Sequence, residues 1–266
     1  MGGLSAMQVA FYFLLFGSIA LAIVLILQRK VQQIVYFRRG DYLRFLLLGI
    51  LANYFYHLCF NNSLRFISVS EAITLNYLYP VIIVVLASLI LKEKITKIRV
   101  LGCLLGFAGL VVAVAGGQIT LPGHSVNFGL PLVVLAAFCY ALFSVLLLVF
   151  KYEVITVMFM SIITGLIFVA SHILLFSSFA LPEPKEWIGL AYIGTLPLAL
   201  GSILWLKAMK IIGASRVAIL MYFTPVIGIL IAHLALAETP DLYLFLGMGM
   251  IIGGNILSNF KRSKRK

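Results

Sequence analysis

Apolar residues along this chain gather into nine runs, and polar or charged residues concentrate in the gaps between them. The runs cover 6–27, 42–63, 68–91, 98–116, 128–150, 154–177, 186–207, 214–236 and 242–260. A helix of about 20 apolar residues crosses the hydrocarbon core of a bilayer. The pattern therefore predicts an all-α polytopic membrane protein with nine transmembrane helices. Gaps at 28–41, 117–127 and 178–185 carry the Gly, Pro and charge that mark loops.

One stretch occurs twice. Ser70–Glu93, SEAITLNYLYPVIIVVLASLILKE, lies on Ser215–Glu238, SRVAILMYFTPVIGILIAHLALAE, when the register is shifted by 145 residues (70 + 145 = 215). Over positions 60–110, 14 of 51 residues equal their partners, including Tyr77/Tyr222, Pro80/Pro225, Glu93/Glu238, Gly102/Gly247 and Gly109/Gly254. Apolar bias alone does not align the rarer Pro, Tyr and Glu, so the chain is read as an internal duplication. The shift maps the last four runs onto the first four, and the run 128–150 onto positions before Met1. The expected division is a first repeat of four helices in 1–117, a linker 118–127, a second repeat of five helices in 128–260 and a basic tail 261–266. Units of five helices enter and leave on opposite faces, so the copies are expected to be inverted, a construction of many secondary transporters.

Charge orients the bundle. With nine helices, 18 of the 20 Lys and Arg fall on the C-terminal side, and only Arg65 and Lys185 on the other. That asymmetry puts the C-terminus in the cytoplasm and the N-terminus outside, in a bacterial inner membrane. It also turns the net charge of +12 away from a nucleic-acid partner and towards a lipid surface. At 63% hydrophobic and 11% charged residues, the chain lies far from a soluble domain. Cys59, Cys103 and Cys139 stand singly in apolar runs, so neither metal nor cofactor is expected.

The acids are informative by position, because all but Glu71 sit at loops or helix ends. Ser68 and Glu71 have the spacing of a capping box. Pro80 and Pro225 fall near the middle of their runs and would free the carbonyls of Asn76 and Met221. Paired breaks at equivalent places point to a midplane substrate site. Asn53, His57 and Asn61 share one helix face at i, i+4, i+8. Tyr140 and Ser144 lie on 128–150, and Tyr192, Thr195 and Trp205 on 186–207. With Asn76, Tyr77, Pro80, Tyr222 and Pro225 they form the candidate substrate site, although polar groups in a bilayer also serve as interhelical hydrogen-bonding partners. Gly-rich faces on 98–116 and 242–260 would either pack inside the fold or carry a dimer or second subunit.

The run from Asn62 to Val112 resembles the EamA domain of the drug/metabolite transporter superfamily. Arg65, Ser70, Pro80, Glu93, Gly102 and Gly109 stand at that pattern's places, and Lys210, Ser215, Pro225, Glu238, Gly247 and Gly254 repeat them. The resemblance implies ten helices in two inverted five-helix repeats around a central cavity, formed here by 42–63, 68–91, 128–150, 186–207 and 214–236. It implies a secondary transporter exporting small metabolites such as amino acids by alternating access, rather than an enzyme. The alternative is a non-transporting or partner-dependent subunit of the same family. Without a counterpart of 128–150 in the first repeat, the cavity is expected to open sideways beside 42–63, between 6–27 and 68–91.

Overall fold

The computed structural model describes residues 3–115, 128–225, 227–228 and 242–259. Among them every regular element is helical: α1 (Ala6–Leu27), α2 (Gln32–Val35), α3 (Arg39–Gly49), α4 (Tyr56–Ser63), α5 (Val69–Asn76), α6 (Tyr79–Ile90), α7 (Lys97–Ala115), α8 (Gly129–Phe150), α9 (Val154–Phe176), α10 (Glu186–Ile193), α11 (Gly201–Ile212), α12 (Ala214–Leu220) and α13 (Leu242–Asn259). Among the described residues, six stretches are long and apolar enough to cross a membrane: α1, Arg39–Ser63, Glu71–Ile90, α8, α9 and Glu186–Ile212. Of the other predicted spans, 98–116 and 242–260 appear as α7 and α13, whereas much of 214–236, with Glu238 beyond it, lies outside the described residues.

Three departures from regular helix shape the bundle. α3 runs into α4 through a π-helical stretch, Ile50–Phe55, and α10 into α11 through another, Gly194–Leu200. These stretches are one register apart, since 50 + 145 = 195 and 55 + 145 = 200. The third departure is the gap between α5 and α6. The run 68–91 is not one helix with Pro80 at its middle; α5 stops at Asn76, and Pro80 sits in the first turn of α6. A proline there gives up an amide that would be unpaired in any case. At the break Leu78 N–H donates to the Leu75 carbonyl at 3.0 Å, and α12 ends in similar i→i−3 bonds, from Met221 N–H to the Ala218 carbonyl at 3.1 Å and from Tyr222 N–H to the Ile219 carbonyl at 3.2 Å. The Tyr222 hydroxyl donates to the Tyr77 carbonyl, its own register partner, at 3.2 Å.

Helix contacts exchange register partners as well. α7 and α13 make the most extensive helix pair. A Cβ on Gly102 would strike the Gly254 carbonyl, and one on Gly109 would lie 2.7 Å from the Gly247 carbonyl. Each glycine thus meets the partner of the other, which only bare backbone permits. The glycine faces of 98–116 and 242–260 are therefore used against each other, within the chain.

Caps and ion pairs close the predicted cytoplasmic end. Ser68 and Glu71 form the expected box at the other end, with Glu71 accepting from Ser68 N–H at 2.8 Å and Ser68 Oγ from Glu71 N–H at 3.2 Å. α12 has no such residue: its cap is Gly213, at φ +92. Glu93, following α6, supplies the missing acceptor. Its carboxylate receives Ala214 N–H at 2.9 Å, Ser215 N–H at 3.3 Å and Ser215 Oγ–H at 2.5 Å. Nearby, Lys30 pairs with Glu153 at 2.8 Å, and Lys210 donates to the Tyr152 carbonyl at 2.7 Å. Desolvation works to raise the Glu153 carboxyl, but Lys30 and Thr156 outweigh it and hold that carboxyl below its ordinary range.

Two outcomes follow for stability in detergent, read by thermal unfolding. Gly109→Val should cost about 2 kcal/mol by overpacking against α13, while Gly249→Ala, with nothing within 4 Å of its added Cβ, should stay within about 0.5 kcal/mol. Glu93→Ala should cost about 1 kcal/mol through loss of the α12 cap, most of it recovered by Glu93→Gln.

Candidate functional site

The irregular stretches border a cavity of about 600 Å³. Its walls come from α1 (Phe13), the first π-helical stretch and α4 (Asn53, Tyr56, His57), α8 (Tyr140, Phe143), α9 (Met158, Ser161), the second π-helical stretch and α11 (Pro197, Ser202, Trp205) and α12 (Val217). The lining is largely apolar and aromatic, and among the described residues no Asp, Glu, Lys or Arg contributes to it. Such a wall binds by burial and ring contact, with a few polar groups setting orientation.

Asn53 is buried, and its amide donates to the Ser161 carbonyl at 3.0 Å and to Ser161 Oγ at 3.2 Å, tying the π-helical stretch to α9. His57 lies edge-on to Phe13 at 5.2 Å and to Tyr56 at 5.0 Å. Tyr140 stands at the centre of an aromatic cluster, 5.1 Å from Tyr79, 5.8 Å from Tyr56 and 6.5 Å from Trp205 between ring centroids. The Trp205 Nε1–H is buried without an acceptor among the described residues.

Of the residues expected in the site, Asn53, His57, Tyr140 and Trp205 line the cavity together. Others stand one layer back. Asn76 donates to the Tyr56 hydroxyl at 3.0 Å, and its side-chain Oδ1 is buried without a partner among the described residues. Tyr77 stacks on Tyr79 at 6.0 Å, Tyr222 and Pro80 are buried, and Ser144 turns its hydroxyl onto the Tyr140 carbonyl at 2.9 Å. Asn61 faces the Met7 sulfur at 3.9 Å, and Pro225 is half-buried beyond α12. Tyr192 is largely exposed and Thr195 bonds back to the Ala191 carbonyl at 2.7 Å; neither lines the cavity.

Two expectations need correction. The walls include α1 and α9, but no residue of α5 or α6; at the helix break Asn76 donates to Tyr56 at the start of α4, and the Tyr77 carbonyl accepts from Tyr222, just past α12. Met158, Ser161 and Ile162 of α9 were not foreseen, since an unbroken apolar run carries no mark of which face meets a cavity. The second concerns the open side. α8 packs along α4, α5 and α6, so the cavity is covered beside 42–63. Its exposed rim residues are Pro197, Leu204 and their neighbours on the second π-helical stretch and α11.

The EamA-like transporter family matches the chain over residues 1–115 and 127–260. The uncharacterized transporter YdfC of Bacillus subtilis is 26% identical over 270 residues, spanning 98% of this chain and 84% of that protein. The aromatic amino acid exporter YddG of Ancylobacter novellus is 27% identical over 219 residues, spanning 77% and 72%. One solved structure superposes with a TM-score of 0.85 at 21% identity, over 97% of this chain and 88% of that one.

Cysteine placement tests the cavity. In a background lacking Cys59, Cys103 and Cys139, Ser202→Cys should react with a small water-soluble thiol reagent at least about tenfold faster than Ser144→Cys, whose position is fully buried. Equal rates would remove Ser202 from an accessible wall.

Proposed function

The chain belongs to the EamA-like transporter family, and we propose that it exports small metabolites of the aromatic amino-acid class by alternating access. The observation that carries this reading is the uncharged cavity of about 600 Å³ walled by Phe13, Tyr56, Tyr140, Phe143 and Trp205. A ring buried there gains area from several aromatic side chains at once. Asn53, His57 and Ser202 are the lining polar groups that would orient the polar end. The name of the Ancylobacter novellus relative supports the same substrate class.

Alternating access rests on reading the halves as inverted repeats of four and five helices within a nine-helix chain. Support comes from the two π-helical stretches one register apart, the reciprocal meeting of Gly102 with Gly254 and Gly109 with Gly247, and the Tyr222–Tyr77 bond. The substrate sits between the halves, and rocking them about the α7–α13 crossing exposes it to either side in turn. The links Lys30–Glu153 and Glu93–Ser215 join the halves at the end where the basic residues gather. In the proposed orientation, N-terminus outside and C-terminus in the cytoplasm of an inner membrane, those links hold the cytoplasmic side closed.

Vesicles containing the purified protein and loaded with labelled phenylalanine or tryptophan test this directly. The wild type should release label faster than protein-free vesicles. Tyr140→Ala should lower the initial rate about tenfold, equivalent to ~1.4 kcal/mol of lost contact, while Tyr192→Ala stays within about twofold. Equal loss in both variants would break the link between the cavity and transport.

A further inference from the structure

The polar groups on the cavity wall differ in whether their hydrogens are already engaged. The Asn53 amide nitrogen donates to the Ser161 carbonyl and to Ser161 Oγ, and Ser202 donates to the Ala199 carbonyl at 3.1 Å. A neutral His57 carries one donor and one acceptor, so it favours neither end of an amino acid. Tyr56 differs from these. Its hydroxyl oxygen accepts from Asn76 Nδ2 at 3.0 Å, which leaves the hydroxyl hydrogen for another acceptor. Trp205 has an indole that can only donate, and its Nε1–H is buried without an acceptor among the described residues. Tyr56 and Trp205 both line the cavity, and both adjoin Tyr140 there.

A buried donor left unpaired is costly, so donors held free on a cavity wall call for acceptors on a ligand. A carboxylate meets that need best, because hydrogen bonds to a charged acceptor are the stronger kind. An ammonium gains nothing from an indole N–H, and among the described residues it finds no Asp or Glu on the wall. Asn76, the last residue of α5, stands behind Tyr56 and sets the direction of its hydroxyl. The amide presents its nitrogen to the phenol, while its Oδ1 stays without a partner among the described residues. The phenol therefore accepts from behind and donates forwards.

We propose that Tyr56 and Trp205 recognise a carboxylate on the substrate by donating hydrogen bonds to it, with Asn76 as the positioning residue that holds the Tyr56 hydroxyl as a donor. The amino group is then dispensable. The substrate class becomes aromatic monocarboxylates, with or without an α-amino group, and excludes aromatic amines. This rests on the transport reading above and names the group by which the site selects its cargo.

The test measures binding to the purified full chain in detergent, with labelled phenylalanine and labelled 3-phenylpropionate, which lacks the amino group. The two should bind within about threefold of each other, and 2-phenylethylamine, which lacks the carboxylate, should compete at least about tenfold less well than either. Equal competition by the amine, or no binding of either acid, overturns the proposal, and this comparison needs no variant to fold. Tyr56→Phe and Trp205→Phe should each weaken binding of both acids about tenfold and leave the weak amine binding unchanged. Asn76→Ala should weaken acid binding about threefold in the wild type and add nothing in the Tyr56→Phe background, since it acts through that hydroxyl. A loss that adds to that of Tyr56→Phe rejects the positioning role. Phenylalanine efflux from vesicles, measured in parallel, keeps the readings separate. Efflux with acid and amine competing equally rejects the carboxylate recognition alone, and selective acid binding without efflux rejects the transport reading alone.

Discussion

In hydrocarbon a backbone group that leaves regular helical bonding has no water to turn to, and must find its partner inside the protein. The rest of this structure depends on how that constraint is met. The two π-helical stretches border the same cavity, and the break at Asn76–Tyr79 lies directly behind one of its walls. The Tyr77 carbonyl set free at that break is answered by the hydroxyl of Tyr222. The cavity lies where it does because regular helix is given up there, in a place that other helices surround.

The halves are bound to each other at several depths by different chemistry. At the α7–α13 crossing the contact is backbone on backbone, through four glycines. Near the cavity it is neutral hydrogen bonding, the Tyr222 hydroxyl on the Tyr77 carbonyl and the Asn53 amide on Ser161. At the end rich in Lys and Arg it is charged: Lys30 with Glu153, and Glu93 on the first turn of α12. The halves differ at that turn. α5 caps itself with Ser68 and Glu71, whereas α12 begins at Gly213 and takes its acceptor from the other half. A carboxylate shared in this way couples the position of α6 to that of α12.

Much of this was legible in the residues themselves. Hydrophobic runs placed the helices, since a bilayer demands a fixed apolar length. Equal residues 145 positions apart were read as a duplication and picked out Gly102, Gly109, Gly247 and Gly254, which meet in pairs. Asn53, His57, Tyr140 and Trp205 could be named because polar or amphipathic side chains in such runs rarely face lipid. The capping box at Ser68 was readable because its chemistry is local.

What tertiary structure alone decided is where long-range geometry outranks local pattern. A π-helical stretch leaves no trace in apolar periodicity, so neither Ile50–Phe55 nor Gly194–Leu200 could be read beforehand. Each shifts the helix face that follows it. Pro80 announced a break, but not that the helix would stop at Asn76 and turn Tyr77 away from the cavity. Glu93 was visible as an acid at a helix end; that it caps a helix 121 residues further on depended on packing of the two halves. The side on which the cavity lies open was decided in the same way. It depends on which helices α8 covers, and an apolar helix such as α8 carries too little pattern to name its neighbours.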